Sequence, residues 1–228
     1  MQNILVCDDD KEIVEAVSIY LKTEGYNVFD SYNGSEALTV IKNNPIDLII
    51  MDIMMPGDDG YKTVMKIREK YTTPVIFLSA KQEDNDKILG LNIGADDFIT
   101  KPFNPLLLVA RVKALLRRDV SNSKVTNANI YSNGDLIVDN EKKIATLDGE
   151  ALKLTPIEYN ILLLFMKNQG KTFTTQEIYQ SVWHTDYTED INNTIAVHIR
   201  HLREKIEHDT KDPKHIKVIW GRGYKMEV

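Results

Sequence analysis

The sequence contains one cysteine, no long apolar run and no excess of positive charge, and each absence excludes a class of protein. With Cys7 alone, neither an internal disulfide nor a cluster of thiolates around a metal can form, which fits a reducing compartment. The apolar run at residues 48–51 lies between Asp47 and Asp52, whereas a membrane-spanning helix needs about 20 apolar residues. We therefore expect a cytoplasmic protein without direct insertion into a membrane.

The start of the chain, its net charge and its length bear on export, on binding to nucleic acid and on the number of domains. The N-terminus enters an apolar stretch and three aspartates directly, without the basic region, apolar core and cleavage site of a signal peptide. A net charge of −6 argues against non-specific coating of nucleic acid, so any contact with DNA has to come from a local basic patch. The 228 residues allow either one large core or two ordinary domains.

The first half of the chain alternates short β-branched runs with longer amphipathic stretches. The predicted strands are residues 4–7, 28–29, 47–51, 75–79 and 97–100. The predicted helices are residues 11–24, 34–43, 61–70, 82–93 and 105–118. Five repeats of strand and helix predict an α/β domain with a doubly wound, five-stranded parallel sheet that helices cover on both faces.

The pattern changes after residue 118. Residues 119–129 are polar, as in a linker, and separate a predicted domain 1–118 from a second at 130–228. Turn signals such as Asn133-Gly134 predict a small antiparallel sheet. Helices are predicted at residues 156–168, 175–182 and 191–207, followed by a β-hairpin of residues 216–220 and 224–228. The second domain is therefore expected to be α+β.

Charged or hydroxyl side chains mark the ends of four of the predicted strands. The first strand runs into Asp8 and Asp9 and the third into Asp52, and the carboxyl ends of parallel strands share one edge of the sheet. Crowded carboxylates require a cation, and hard oxygen ligands suit Mg²⁺. Ser79 and Lys101 add a hydroxyl and an ammonium group. An acidic pair on a loop is by itself more often a solvated turn, but this combination predicts a phosphoryl acceptor with Asp52 as the nucleophile.

These residues resemble the receiver domains of bacterial two-component systems over about residues 2–118. The matching segments are Ile4-Leu5-Val6-Cys7-Asp8-Asp9, Asp52 with Pro56 and Gly60, Ser79-Ala80, Gly94-Ala95-Asp96-Asp97-Phe98, and Lys101-Pro102-Phe103. The resemblance implies a CheY/flavodoxin-like fold, phosphorylation of Asp52, and Mg²⁺ as cofactor, for which Mn²⁺ can substitute. It implies that Asp9, Asp52 and the backbone carbonyl of Met54 bind the metal directly, and Asp8 through water.

The resemblance also implies a switch around the phosphoryl group. Ser79, Ala80 and Lys101 would contact that group, and Phe98 would move inward as the Ser79 hydroxyl turns toward it. By the same resemblance, Lys101-Pro102 is expected to be a cis peptide. Without the resemblance, a core ring is the preferred explanation of Phe98.

A symmetric dimer is implied by the narrower resemblance to the OmpR/PhoB subfamily, which uses the face next to Phe98. The implied residues are Lys87, Ile88, Leu91, Asp97, Ala110 and Arg111. The sequence departs from the subfamily at Leu107 and Asn92, where acidic residues are common, and exposed ion pairs are worth at most about 1 kcal/mol each. An ordinary amphipathic helix with a charged rim is the alternative.

The last predicted helix and hairpin carry the features expected of a DNA-binding surface. An apolar stripe recurs at helical spacing, and residues 191–228 contain eight basic and five acidic residues. The predicted DNA contacts are Asn193, Thr194, His198, Arg200, His201, Arg203, Lys217 and Arg222. A cationic helix is as often only a solvated surface, but Arg222 between two glycines can occupy a hairpin tip that enters a minor groove.

Over about residues 131–228 the sequence resembles the winged-helix outputs of the OmpR/PhoB subfamily. The matching segments are Thr155-Pro156-Ile157-Glu158-Tyr159, Val197-His198-Ile199-Arg200-His201-Leu202-Arg203 and Gly221-Arg222-Gly223-Tyr224. Asn192-Asn193-Thr194-Ile195 and Pro213-Lys214-His215-Ile216-Lys217 look most like VanR-type regulators of glycopeptide-resistance genes. His201 and Trp220 stand where other members often have arginine, so the contacts of those members do not transfer.

Together these features predict a two-component response regulator and not an enzyme, apart from assistance to its own phosphorylation and dephosphorylation. The implied partners are a membrane sensor histidine kinase, promoter DNA, RNA polymerase and, after phosphorylation, a second copy of the chain. Two alternatives stay open. One is a Mg²⁺-dependent phosphohydrolase that uses an aspartyl phosphate, although the motif and substrate cap of that class are missing. The other is a pseudo-receiver that binds only proteins.

Overall fold

The computed structural model describes residues 1–56, 58–80, 84–116, 129–184 and 191–228, and only the backbone of residues 58, 84–88 and 191. The chain divides into two compact units, Met1–Leu116 and Arg117–Val228. None of the described helices is long and apolar enough to cross a bilayer. The predicted linker at 119–129 lies almost wholly outside the described residues, so its boundaries stay a prediction.

The first unit is a parallel sheet covered by helices. Its strands are β1 (Asn3–Cys7), β2 (Asn27–Ser31), β3 (Leu48–Asp52), β4 (Met54–Met55), β5 (Asp58–Asp59), β6 (Val75–Ser79) and β7 (Asp97–Thr100). Its helices are α1 (Lys11–Thr23), α2 (Gly34–Asn43), α3 (Gly60–Lys70), α4 (Asp84–Ile93) and α5 (Pro105–Leu116). The strand order β2-β1-β3-β6-β7 confirms the predicted doubly wound fold.

The central strands are apolar along their whole length because helices cover both faces of the sheet. Every residue of β3 and β6 is buried. Polar side chains mark the starts of the helices, where Asp10, Asn33 and Asp59 accept hydrogen bonds from free backbone N–H groups of α1, α2 and α3. The short β4–β5 hairpin was not predicted, because two-residue strands leave no periodicity in a sequence.

One glycine allows α3 to begin directly against the end of β3. A Cβ atom built at Gly60 would lie 2.1 Å from the carbonyl oxygen of Asp52 and 2.9 Å from the Cα atom of Ile53. Backbone atoms cannot move aside as the end of a flexible side chain can. The start of α3 therefore depends on the absence of a side chain at Gly60.

A buried ion pair holds the connection between α4 and β7. Arg68 lies 2.9 Å from Asp96 through Nη2 and donates from Nε to the carbonyl of Gly94 at 2.8 Å. Asp96 also accepts the backbone N–H of Val75 at 2.9 Å. Asp96 belongs to the quoted receiver motif, and its role in the fold is to join β6, α3 and the start of β7.

In its described residues, the second unit combines two small antiparallel sheets with three helices. Its strands are β8 (Ile130–Asn133), β9 (Leu136–Asp139), β10 (Ile144–Leu147), β11 (Glu150–Ala151), β12 (Thr172–Phe173), β13 (Ile216–Ile219) and β14 (Gly223–Met226). Its helices are α6 (Pro156–Lys167), α7 (Thr175–Trp183) and α8 (Ile191–Ile206). The strand orders are β11-β10-β9-β8 and β12-β14-β13, and the α+β winged-helix prediction is confirmed.

The helix-start motif and the apolar stripe predicted for the second unit have the expected places in the structure. Thr155 and Glu158 form the capping box that starts α6, and Thr174 and Glu177 form a second one at α7. The apolar stripe of α8 is buried and packs on α6 and α7. β12 was not predicted, because it is two residues long and gains its pairing only from β14.

We expect Gly60→Ala to lower the free energy of unfolding of the first unit by about 3 kcal/mol, because the new methyl group would overlap backbone atoms. Gly25→Ala is the matched control, since Gly25 has a positive φ of 87° but no atom within 4 Å of the added Cβ. The control should cost only about 1 kcal/mol. Urea denaturation measures both, and equal losses would contradict the steric explanation.

Candidate functional site

Three carboxylates meet at the edge of the sheet where β1 and β3 end. These strands pair in parallel with Cys7 opposite Met51, so Asp8 and Asp52 leave the sheet side by side. Both side chains are buried, whereas Asp9 is exposed. One carboxylate oxygen from each of the three lies within 4.8 Å of those of the other two. The convergence predicted from the strand ends is therefore present.

Lys101 brings a positive charge into the carboxylate pocket from the end of β7. Its Nζ atom lies 2.6 Å from Oδ2 of Asp8 and 2.7 Å from Oδ1 of Asp52. Burial lowers the pKa of Lys101, but the hydrogen bonds to Asp52 and Asp8 outweigh burial and raise that pKa overall, so the group is an ammonium. The Lys101-Pro102 peptide is cis, as the resemblance implied.

Backbone groups fix the directions of the two buried carboxylates. The N–H of Met54 donates to Oδ2 of Asp52 at 2.8 Å, and the N–H of Asp10 donates to Oδ1 of Asp8 at 3.1 Å. Burial raises the pKa of Asp8 above its ordinary value although Lys101 opposes the shift. Charge is therefore held in this pocket against a desolvation cost.

The neighbouring thiol takes no part in this chemistry. Burial raises the pKa of Cys7 to about 12, and its Sγ atom lies 3.5 Å from Sδ of Met55. A thiol with this pKa is not a nucleophile near neutral pH. Cys7 is thus the small buried strand residue that its position in β1 predicts.

The charges of the pocket fit a divalent cation. Among the described residues, three carboxylates face one ammonium group, that of Lys101, so negative charge is in excess. All three offer hard oxygen ligands, which suit Mg²⁺ and Mn²⁺. The exposed carboxylate of Asp9 leaves the pocket open to hydrated ions from the solvent side.

The remaining residues predicted for this site lie around the same edge. Ser79 is buried and pairs with Thr100 in the sheet, and its carbonyl accepts the N–H of Lys101 at 2.7 Å. Ala80 is exposed next to it, and Phe98 is partly buried against the core. All four strand ends are thus together, while the phosphoryl-contact and switch roles of Ser79, Ala80 and Phe98 stay predictions.

The structure corrects two parts of the predicted dimer face. Leu91 is 2% exposed and packs inside its own unit, so it cannot form an apolar surface patch. Asp97 and Arg111 form a buried ion pair within one chain, 2.7 Å between Oδ2 and Nη1, so neither offers its charge to a second copy in this conformation. Ala110 is partly exposed. The side chains of Lys87 and Ile88 lie outside the described residues.

The predicted DNA surface divides into exposed and buried residues. Arg200 and Arg222 are exposed, and Asn193, Thr194, His201 and Lys217 are partly exposed. The guanidinium of Arg200 pairs with Glu204 one turn later on α8, 3.0 Å between Nε and Oε1. Burial lowers the pKa of His201, so its imidazole is neutral near neutral pH. These six side chains remain candidates for contact with DNA.

One predicted DNA contact, His198, is buried in this conformation, and a second, Arg203, is partly exposed and bonded within the unit, so its contact with DNA stays a prediction. His198 is 2% exposed, and its ring lies 5.5 Å from the ring of Trp183 in the core. It follows Ile195 by three residues and so belongs to the apolar face, a spacing that the sequence already contained. Arg203 donates from Nε and Nη2 to the carbonyl of Ile216 at 3.0 and 2.6 Å, which attaches α8 to β13.

Sequence reasoning missed one prominent side chain of the hairpin. Trp220 is 91% exposed at the turn between β13 and β14, next to Gly221, which has a φ of 71°. The sequence marked it only as a departure from arginine. The predicted strand at residues 216–220 included it, whereas the observed strand ends at Ile219 and leaves Trp220 in the turn.

Comparison with known proteins covers both units. Residues 4–113 match the family described as Response regulator receiver domain, and residues 149–226 match Transcriptional regulatory protein, C terminal. The regulatory protein VanR of Enterococcus faecium is 46% identical over 98% of each chain, and VanRc of Enterococcus gallinarum is 42% identical over 99% of each. Among solved structures, DrrB, a Thermotoga maritima OmpR/PhoB homolog, is 34% identical with a TM-score of 0.53 over 100% of both chains.

In metal-free buffer near neutral pH, we expect Asp8→Asn to raise the free energy of unfolding of the first unit by about 1 kcal/mol. Two like charges about 4 Å apart repel by up to about 4 kcal/mol at an effective dielectric constant near 20. In the wild type, the ammonium group of Lys101 offsets much of this repulsion. In the variant, Lys101 still pairs with Asp52, so the repulsion is lost and that ion pair is kept. Denaturation with urea measures the difference.

The same comparison at lower pH is the control for Asp8→Asn. Because the pKa of Asp8 is raised in the folded state, protonation favours folding of the wild type as the pH falls through that pKa. The advantage of the variant should then disappear. A variant less stable than wild type at neutral pH, or a difference that does not change with pH, would contradict the electrostatic explanation.

Proposed function

We propose that this chain, which belongs to the two-component response regulators with a transcriptional regulatory C-terminal domain, is switched by phosphorylation of Asp52. The observation that supports this most directly is the placement of the Lys101 ammonium 2.6–2.7 Å from the buried carboxylates of Asp8 and Asp52. Nucleophile, counter-charge and acidic ligands lie within one pocket, open to solvent at Asp9. That is the arrangement phosphoryl transfer to a carboxylate requires.

In the proposed reaction, a carboxylate oxygen of Asp52 attacks phosphorus while the bond to the leaving group breaks. The donor is a phosphohistidine of a membrane sensor kinase or a small acyl phosphate. Lys101 already lies beside Asp52 and neutralises part of the charge on the transferred phosphoryl oxygens. Transfer is to the protein itself, and the chain assists the later hydrolysis without turning over an external substrate.

A divalent metal would be held by the acidic residues of the pocket. We assign Asp9, Asp52 and the backbone carbonyl of Met54 as direct ligands and Asp8 as a ligand through water, with Mg²⁺ or Mn²⁺ as the ion. When bound, the ion supplies further positive charge for the phosphoryl oxygens. The excess of carboxylate over ammonium in the pocket supports this assignment.

The phosphoryl group would act on the surface formed by α4, β7 and α5. Ser79 and Ala80 contact the group, and Phe98, which is partly buried, moves with the Ser79 hydroxyl. We propose that two copies then dimerise through this surface. Because Asp97 and Arg111 already pair within one chain, the contacts between copies would rely more on apolar side chains, of which Leu106 and Leu107 on α5 are exposed.

The second unit would bind promoter DNA through α8 and the β13–β14 hairpin. Arg200, Asn193, Thr194 and His201 lie on the accessible side of α8, where amide and guanidinium groups can read base edges in a major groove. The hairpin contributes three further contacts, and these are Lys217, Trp220 and Arg222. The resemblance to VanR and VanRc supports regulation of cell-wall or glycopeptide-resistance genes. We further propose that the chain acts on RNA polymerase in the cytoplasm.

The two competing functions are less well supported. A phosphohydrolase would release its phosphate repeatedly, whereas the family of this chain consists of transcriptional regulators. A pseudo-receiver would have lost part of the acidic site, but Asp8, Asp9, Asp52 and Lys101 are all in place. Steady hydrolysis of a phosphoester, or DNA affinity indifferent to phosphorylation, would favour these alternatives.

We expect acetyl phosphate with Mg²⁺ to add one phosphoryl group to the wild type and none to Asp52→Ala, as measured by intact mass. Asp10→Asn is the matched control, because Asp10 lies beside the pocket but caps α1, and this variant should be labelled normally. Promoter DNA selected from the source genome should bind more tightly to the phosphorylated wild type only. Equal labelling of Asp52→Ala would contradict the assignment.

Alanine substitutions of two arginines on α8 should distinguish a loss of DNA binding from a loss of fold stability. Arg200→Ala should weaken promoter binding by about 1–3 kcal/mol if the side chain reads a base, and leave stability nearly unchanged, because 67% of the Arg200 side chain is exposed. Arg203→Ala should instead lower the free energy of unfolding by about 2 kcal/mol, since it removes hydrogen bonds to Ile216.

Salt-dependent titrations and thermal unfolding distinguish the two arginines. A loss of affinity in Arg200→Ala that is uniform over sequences, with a shallower salt slope, would mark a phosphate contact instead of a base contact. If Arg200→Ala destabilises the fold as much as Arg203→Ala, the division of roles along α8 is wrong.

A further inference from the structure

Four side chains from separate parts of the second unit form a chain of contacts through Asp135 and His208. We call them the Asp–His cluster: Asp135 in the β8–β9 turn, Asp148 in the β10–β11 turn, His208 just after α8, and His215 just before β13. Nε2 of His208 lies 3.8 Å from Oδ2 of Asp135 and 3.6 Å from Oδ2 of Asp148. Nε2 of His215 lies 3.3 Å from Oδ1 of Asp135. Asp135 thus faces one histidine with each oxygen.

The protonation of His215 can be inferred from its neighbours. The amide Nδ2 of Asn133 donates to the carbonyl of Glu227 at 2.7 Å and to Oε1 of Gln169 at 3.3 Å, which fixes the orientation of that amide. Oδ1 of Asn133 therefore faces Nδ1 of His215 at 2.6 Å, and Nδ1 must carry the hydrogen. Nε2 of His215 is left with a lone pair.

This lone pair lacks a hydrogen-bond partner and points at a carboxylate. The His215 side chain is 1% exposed, and its Nε2 atom makes no hydrogen bond, because the contact with Asp135 is not in hydrogen-bond geometry. Two acceptors 3.3 Å apart repel unless a cation lies between them.

The spacing of the cluster suits a small metal ion better than hydrogen bonds. Bond lengths of about 2.0–2.2 Å to nitrogen and oxygen separate the ligands of a tetrahedral Zn²⁺ ion by about 3.3–3.6 Å. Three contacts within the cluster, at 3.3, 3.6 and 3.8 Å, lie at or just above this range. The ligand atoms of Asp135, Asp148 and His208 all lie within 4.8 Å of one another, and His215 meets this group through the other oxygen of Asp135. Two imidazoles and two carboxylates are a ligand set that Zn²⁺ accepts, and Nδ1 of His215 already has the outer hydrogen bond typical of a metal-bound histidine.

The backbone that carries the two histidines is held in place without a metal. The carboxylate of Glu207, the residue before His208, accepts the backbone N–H groups of His215 at 3.0 Å and Ile216 at 2.8 Å. This ties the end of α8 to the start of β13. The ligands are therefore partly preorganised, which reduces the entropy lost when an ion binds.

We propose that the Asp–His cluster is a Zn²⁺ site. Asp135, Asp148 and His208 already hold their ligand atoms within 4.8 Å of one another, and rotation of the exposed Asp148 and His208 side chains would admit His215 as the fourth ligand. The site is independent of the phosphorylation proposed for Asp52, because all four ligands belong to the second unit. A bound ion would join the β8–β11 sheet to the segment between α8 and β13 and so brace the end of the helix that carries Arg200.

The ammonium group of Lys214 would compete with a metal ion for the carboxylate of Asp135. Nζ of Lys214 lies 3.1 and 3.0 Å from the two oxygens of Asp135, and Lys214 holds the pKa of that carboxyl below its usual value. The Lys214 side chain is largely exposed and can turn into solvent. The negative charge of Asp135 thus already attracts a cation, and a divalent ion with more ligands would displace it.

The test is a Zn²⁺ titration of the metal-stripped full chain in excess Mg²⁺, which fills the acidic pocket of the first unit. Calorimetry should show one Zn²⁺ per chain, and binding should be at least tenfold weaker in His208→Gln and in Asp148→Asn, two exposed ligands whose loss should not affect folding. Asp212→Asn, an exposed carboxylate of the same segment outside the cluster, is the matched control and should bind as wild type does.

Two further readouts make the result specific. Co²⁺ in place of Zn²⁺ should give the intense visible absorption of a tetrahedral site, and Lys214→Met should bind Zn²⁺ several-fold more tightly because the competing ammonium is gone. The proposal fails if wild type binds no Zn²⁺ at micromolar concentrations, or if His208→Gln and Asp148→Asn bind it unchanged. A weak octahedral Co²⁺ spectrum, or no gain in Lys214→Met, would also overturn it.

Discussion

The ammonium group of Lys101 between the carboxylates of Asp8 and Asp52 is the interaction on which the first unit depends. Parallel pairing of β1 with β3 forces the two acids to one edge of the sheet, and β7 carries the only described cation that reaches both. One positive charge does not balance three carboxylates. The pocket therefore holds unfavourable charge, so the proposed metal ion and phosphoryl group, each of which would rearrange that charge, would alter the energy of the surrounding fold.

The geometry around this pocket leaves little freedom to its nucleophile. One oxygen of Asp52 accepts a backbone N–H and the other faces Lys101, while Gly60 lets α3 pack against the backbone of the same residue. An aspartate held in this way is already oriented when a phosphoryl donor arrives, so less entropy is lost on reaching the reactive arrangement. Rigidity at Asp52 and movement at Ser79 and Phe98 are complementary parts of the proposed switch.

In the second unit, α8 serves two purposes along one helix. Its buried side, which includes His198 beside Trp183, packs on the core, and Arg203 attaches the helix to β13 through the carbonyl of Ile216. Only the remaining side, with Arg200, is accessible for recognition. Glu207 then holds the end of α8 against the start of the hairpin by accepting the backbone N–H groups of His215 and Ile216, so that helix and hairpin are positioned together.

The sequence by itself determined the fold class, the two-unit organisation and the acidic site, because each depends on local periodicity or on the rule that parallel strands end at one edge. That rule alone predicts that Asp8, Asp52 and Lys101 lie close together. Tertiary structure decided what depends on packing between distant segments: the burial of Leu91, the Asp97–Arg111 pair within one chain, and the attachment of Arg203 to Ile216. It also decided the Asp–His cluster, because residues 135, 148, 208 and 215 share no spacing in the sequence and meet only when two turns of a sheet pack against the end of a helix.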